Sequence, residues 1–120
     1  MAKVLIVDDS RTSRRILRNI LEEHGHEIVG EAENGQIGYE KYIELDPDIV
    51  TLDITMPVLD GLGSLEKIMT YDDKAHVIMV TAAGQKNKMV DAIKLGANEF
   101  IQKPFEPDQI LTVIANLSKS

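Results

Sequence analysis

Five polar residues stand at or just past the ends of apolar runs: Asp8 and Asp9 after Val4-Leu5-Ile6-Val7, Asp53 after Ile49-Val50-Thr51-Leu52, Thr81 after Val77-Ile78-Met79-Val80, and Lys103 after Phe100-Ile101. Together they offer three carboxylates, a hydroxyl and an ammonium. Clustered carboxylates repel one another and take up protons unless a cation neutralises them. Mg²⁺ is the suitable cation, because it prefers oxygen ligands, keeps several waters and works beside phosphate. Zinc finds no cysteine here and no convergent pair of histidines, since His24, His26 and His76 fall elsewhere and suit surface or helix-end roles. A carboxylate beside such an ion can attack phosphorus to give an aspartyl phosphate, with cations offsetting the charge on the transferring oxygens. Lys103 is then the point charge for one oxygen, and Thr81 can donate to another. Taken singly, each residue also has a plain structural role. Asp53 suits a turn or cap, Asp9 or Ser10 a helix cap, Thr81 a β-branched strand position and Lys103 a solvated surface. Their joint placement is what favours chemistry.

For these residues to meet, the apolar runs must be neighbouring strands. Strand-length apolar runs alternate with stretches of helical period along the whole chain, the pattern of a parallel α/β sheet with helices on both faces. In such a sheet the carboxyl ends of the strands share one edge, and ligands bind in the crevice where strand order reverses. The spacing predicts five strand-then-helix repeats. Val4 to Val7 lead into a helix buried through Ile16, Leu17, Ile20 and Leu21 and closed by Gly25. A half-polar edge strand from about Glu27 to Glu33 is followed by the Asn34-Gly35 turn and a helix ending at Leu45. Pro47 breaks the chain before the third strand, whose Asp53 opens a loop through Met56-Pro57 to Gly61. Leu62, Leu65, Ile68 and Met69 stripe the third helix, and Met89, Val90 and Ile93 the fourth, which Gly96 stops. Ile110, Leu111, Ile114 and Leu117 line the last.

A length of 120 residues suits one domain, 1–120, with a core that needs neither disulfide nor structural metal. Without cysteine, an apolar leader or a bilayer-length apolar run, a soluble cytoplasmic protein with no membrane insertion is expected. The net charge of -7 disfavours nucleic acid as a partner. The one basic cluster, Arg11, Arg14, Arg15 and Arg18, has the spacing of a solvated helix face.

Val4 to Ser10, Asp53 to Gly61, Thr81-Ala82-Ala83 and Phe100 to Phe105, in that order and spacing, resemble the receiver domain of two-component response regulators, and among them the stand-alone chemotaxis receivers. The resemblance spans the chain and implies a flavodoxin-like strand order, 2-1-3-4-5. It implies Asp53 as phosphoacceptor. Asp9 and Asp53 would bind Mg²⁺ directly, Asp8 through water or by orienting the site, and Thr55 through its backbone carbonyl. Thr81 and Lys103 would hold phosphoryl oxygens, helped by the backbone N–H groups of Thr55 and Ala82. Phe100 takes the place of the family's switch aromatic, coupled to Thr81, and Lys103-Pro104 that of its cis peptide. The implied phosphodonor is a histidine kinase. The implied target is the flagellar motor switch protein or another downstream protein, with a phosphatase as a further partner. Gly38, where a helical Ala is frequent, and Gly63 depart from the commoner pattern and imply local softness.

The resulting expectation is a signalling switch that catalyses only its own phosphorylation and dephosphorylation. With no attached output domain expected, its effect passes through a protein contact. A phosphorelay intermediate is the alternative within the family. An aspartyl-phosphate phosphohydrolase fits less well, because its general acid would stand two residues after the nucleophile, where this chain has Thr55. A flavodoxin-like electron carrier lacks aromatic residues to sandwich a flavin.

Overall fold

The structure, a computed structural model, describes residues 1–118, so the last two residues of the expected 1–120 domain lie outside it. Strands and helices alternate strictly: β1 (Lys3–Val7), α1 (Arg11–Glu23), β2 (Glu27–Ala32), α2 (Gly35–Leu45), β3 (Ile49–Asp53), α3 (Gly61–Tyr71), β4 (Val77–Thr81), α4 (Lys86–Leu95), β5 (Glu99–Gln102) and α5 (Pro107–Ser118). All strands are parallel, in the order β2-β1-β3-β4-β5, which places the half-polar second strand at an edge.

Alternation along each strand divides the interior in two. Val4, Ile6, Ile49, Ile78 and Ile101 face Leu17 and Leu21 of α1 and Ile110 and Ile114 of α5. Leu5, Val7, Val50, Leu52, Val77 and Met79 face Tyr42, Leu65, Ile68 and Ala92 of α2, α3 and α4. A strand buried on both sides is mostly apolar, hence the near-continuous apolar runs in the central strands, interrupted in β3 by the buried Thr51.

Local signals set the helix starts. The Ser10 hydroxyl accepts from the Ser13 N–H at 3.2 Å, Asn34 Oδ1 from Ile37 N–H at 2.9 Å, and Asp60 Oδ1 from Gly63 N–H at 2.8 Å. Gly96, at φ 109°, ends α4 in the left-handed region. Pro107 opens α5, where its missing N–H is harmless.

Three expectations need correction. Ile16 is 47% exposed: the buried stripe of α1 centres on Leu17 and Leu21, and Ile16, about 100° round the helix from Leu17, turns outward. On α4 the buried residue is Ala92, while Val90 and Ile93 are exposed at 53% and 57%, because the small Ala92 lets α4 lie close and leaves the larger side chains over a groove beside β5. The arginines of α1 are not all solvated. Arg14 Nε donates to Glu31 at 3.0 Å and Arg18 Nε to the same carboxylate at 2.7 Å, tying α1 to β2. Burial would raise the Glu31 carboxyl, but Arg18 and Arg14 outweigh it and hold it below the usual range.

Gly38 has a packing reason. A Cβ there would lie 2.8 Å and 2.9 Å from the two Cγ atoms of Val7, so α2 can sit this close to β1 only with glycine. Gly38→Ala is therefore expected to destabilise the protein by about 1–3 kcal/mol despite the better helix propensity of Ala. Urea unfolding of Gly38→Ala, Val7→Ala and the double variant checks this, and the double variant should lose less than the sum of the two single losses. A stabilised Gly38→Ala variant would mean the helix rides higher than described.

Candidate functional site

The carboxyl ends of β1, β3, β4 and β5 bring the expected residues to one cleft. Asp8 and Asp53 are buried, at 3% and 7% exposure, as is Thr81, while Asp9 is exposed at the rim. Carboxylate oxygens of Asp8, Asp9 and Asp53 all lie within 4.8 Å of one another. Lys103 Nζ reaches them from the edge strand, 2.9 Å from Asp8 Oδ2 and 3.3 Å from Asp53 Oδ2. One ammonium thus pairs with two of the three clustered carboxylates, leaving negative charge of the kind a hard cation fits.

The backbone holds these groups in place. Asp8 Oδ1 accepts from Ser10 N–H at 2.8 Å, and Arg14 Nη1 donates to the Asp8 carbonyl at 2.6 Å. The loop after Asp53 folds back through Gly61 N–H to the Ile54 carbonyl at 2.7 Å, and a Cβ on Gly61 would stand 2.1 Å from the Asp53 carbonyl oxygen, so this approach requires glycine. Lys103 N–H donates to the Thr81 carbonyl at 2.8 Å, and Lys103-Pro104 is cis, as expected.

Electrostatics single out Asp53. Burial, then the neighbouring Asp8 carboxylate, push its carboxyl up to about 6, against the pull of Lys103. Burial alone would lower Lys103, but its pairing with Asp8 and Asp53 prevails and raises it.

Thr55 and Ala82, both exposed, follow the neighbouring ends of β3 and β4. Gln85, which sequence reasoning misses, joins them: its Oε1 accepts from Ala82 N–H at 3.0 Å and its Nε2 donates to the Thr55 hydroxyl. The only signal for it is a polar residue just past Gly84 in the loop after Thr81. Phe100 is half-buried. It pairs with Met79 across β4 and β5, as Gln102 pairs with Thr81, so Phe100 and Thr81 share one sheet face and line the same groove. The histidines stay out of the site: His24 Nδ1 lies 2.9 Å from the Ile20 carbonyl, and His26 Nδ1 accepts from Ala2 N–H.

A doubly wound parallel sheet with this acidic cleft and its lysine defines a class, and comparison with known proteins agrees. Residues 4–115 match the response regulator receiver domain, and the chain belongs to that family of signalling proteins. It is 50% identical to the chemotaxis protein CheY of Listeria monocytogenes over 99% of this chain and 100% of the relative. It is 45% identical to CheY of Thermotoga maritima over 98% of each. Among solved structures it resembles a chain of the CheX-CheY-BeF3-Mg²⁺ complex from Borrelia burgdorferi, with a TM-score of 0.90 and 38% identity over 96% of this chain and 87% of that one. Among the described residues no helix is long and apolar enough to cross a membrane.

Proposed function

We propose that this chain is a phosphorylation-dependent switch of a two-component system, in which Asp53 accepts a phosphoryl group from the phosphohistidine of a histidine kinase. The observation that carries this reading is Lys103 Nζ set against Asp8 and Asp53 within the carboxylate cluster. An Asp53 carboxylate oxygen attacks phosphorus as the P–N bond breaks. The electron pair stays with the imidazole nitrogen, and a solvent proton completes the neutral ring. Lys103 meets one transferring oxygen, the Thr81 hydroxyl donates to another, and the N–H groups of Thr55 and Ala82 serve the rest. Asp9, Asp53 and the Thr55 carbonyl would hold Mg²⁺, with Asp8 acting through water or by orienting the site, and the ion would supply charge neutralisation at the phosphoryl group. Later attack of water on phosphorus returns the Asp53 carboxylate and releases inorganic phosphate, unaided or with a phosphatase.

The downstream partner is the flagellar motor switch protein, a reading supported by the chemotaxis relatives. The protein acts in the cytoplasm as one receiver unit, without nucleic acid. Incubation with acetyl phosphate should add one phosphoryl mass, on Asp53 and only with a divalent ion present. Labelling elsewhere, or undiminished labelling in a chelator, would move the chemistry to another site.

The metal arm has its own test. Asp9→Ala is expected to weaken Mg²⁺ binding about tenfold or more, whereas Asp91→Ala, an exposed position on α4, leaves it unchanged. Calorimetric titration of both decides, and equal affinities would remove Asp9 from the metal site.

A further inference from the structure

The Gln85 bridge joins two segments that end side by side above the phosphoacceptor. Asp53 pairs with Val80 across β3 and β4, so Thr55, two residues on, and Ala82, two residues on, rise from the same level of the sheet edge. The Gln85 amide closes the gap between them with both of its ends. Gln85 stands immediately before α4, where a side chain commonly caps the helix, yet it makes no cap bond. Its amide is committed to the cleft instead. Gly84 beside it has φ +91°, in the left-handed region that favours glycine, and open space where a Cβ would stand.

We propose that Gln85 is a latch on the phosphoryl pocket: in the unphosphorylated chain its side chain occupies the Ala82 N–H that a phosphoryl oxygen on Asp53 needs, and it swings away when that oxygen arrives. The inference rests on the reading of Asp53 as phosphoacceptor. A neutral amide oxygen loses such a contest, since hydrogen bonds to ionised acceptors are roughly twice as strong. The latch therefore weakens occupancy without preventing it. Its release also unties Thr55 from the start of α4, so the loop leading to the exposed Val90 and Ile93 face is freed in the same event.

Beryllium fluoride, a phosphoryl mimic, is titrated in saturating Mg²⁺ against the parent chain, Gln85→Ala, Thr55→Val and the double variant, followed by backbone amide NMR. Gln85→Ala is expected to bind about five- to tenfold more tightly, the gain from removing one or two modest competing hydrogen bonds. Thr55→Val, which loses one bond of the pair, should fall between, and the double variant should bind no more tightly than Gln85→Ala. The Ala82 amide resonance should differ between parent and Gln85→Ala when free and coincide when saturated, a change that a purely structural role would not produce. Equal affinity of the parent and both single variants overturns the latch, as does a free-state Ala82 resonance indifferent to Gln85→Ala. Should the parent fail to bind beryllium fluoride, or Asp53→Asn bind it undiminished, the phosphoacceptor reading falls and the latch with it.

Discussion

Replacing Asp53 with Asn is expected to abolish phosphorylation by acetyl phosphate and, at the same time, to make the folded protein more stable at neutral pH. The loss of labelling follows from removing the attacking carboxylate. The gain in stability follows from what burial and Asp8 do to Asp53. Its folded pKa of about 6 lies above the ordinary value of 3.8, so the folded chain holds this proton more tightly than the unfolded chain does. The stability contributed by the protonated form is fully present below about pH 4 and is lost as pH rises through about 6. Above that range the parent carries a carboxylate the fold disfavours even with Lys103 beside it. Each pH unit is worth about 1.4 kcal/mol, which sets a ceiling of about 3 kcal/mol. Solvent at the mouth of the cleft reduces the expected gain to about 1–2 kcal/mol. Metal-free urea unfolding at pH 7.5 and at pH 4 measures it: Asp53→Asn should be the more stable at pH 7.5, with the difference nearly gone at pH 4. Added Mg²⁺ should stabilise the parent more than the Asn variant. An Asn variant less stable than the parent at pH 7.5 would mean that Lys103 more than repays the burial of Asp53.

The site was largely legible from sequence because a parallel sheet leaves little freedom once its strands are located. Apolar runs such as Val77 to Val80 are buried on both faces, and their carboxyl ends must share one edge, so Asp8, Asp53, Thr81 and Lys103 converge whatever their separation in the chain. Helix faces were less legible. Apolar spacing alone marks Val90 and Ile93 as buried, yet what decides is how closely α4 approaches the sheet, and that depends on Ala92. Gly38 read as a weak point in α2 because its reason lies in Val7 on another element. Arg14 looked like part of a solvated face because its partners, Glu31 and the Asp8 carbonyl, belong to distant segments. Gln85 carries only a faint local signature. A side-chain amide that joins two loops becomes visible only when both are in place.

Removing the Thr81 hydroxyl is expected to disconnect the phosphorylation site from the output surface while leaving Asp53 able to react. Thr81 stands at the end of β4 with its side chain buried, one step diagonally from Phe100 on the same face of the sheet. Both line a groove of 410 Å³ with Met89, Val90, Ile93 and Gln109. A phosphoryl oxygen on Asp53 is expected to draw the Thr81 hydroxyl toward the site and leave room behind it. Phe100 is the bulky neighbour able to fill that room, and with no hydroxyl to hold at the surface it can sink without stranding a polar group. An inward move would change the shape of the face formed by α4, β5 and α5 under the exposed apolar residues Val90 and Ile93, which a partner would cover. Phosphorylation can shift this balance only through its different affinity for the two forms, so the inward form should already be detectable as a minor population before phosphorylation. Couplings of this kind change affinity by about 5- to 150-fold. The parent should therefore bind the motor switch protein tens of times more tightly with beryllium fluoride and Mg²⁺ than without, and Thr81→Ala should reduce that ratio to about threefold or less. Ring NMR signals give the local readout, since the chain has only 2 phenylalanines, Phe100 and Phe105. The Phe100 ring should shift on addition of the mimic in the parent and stay still in Thr81→Ala. If Thr81→Ala keeps both the ring shift and the gain in affinity, the signal leaves Asp53 by a route that bypasses Thr81, and the loop carrying Thr55 and Gln85 becomes the next element to test.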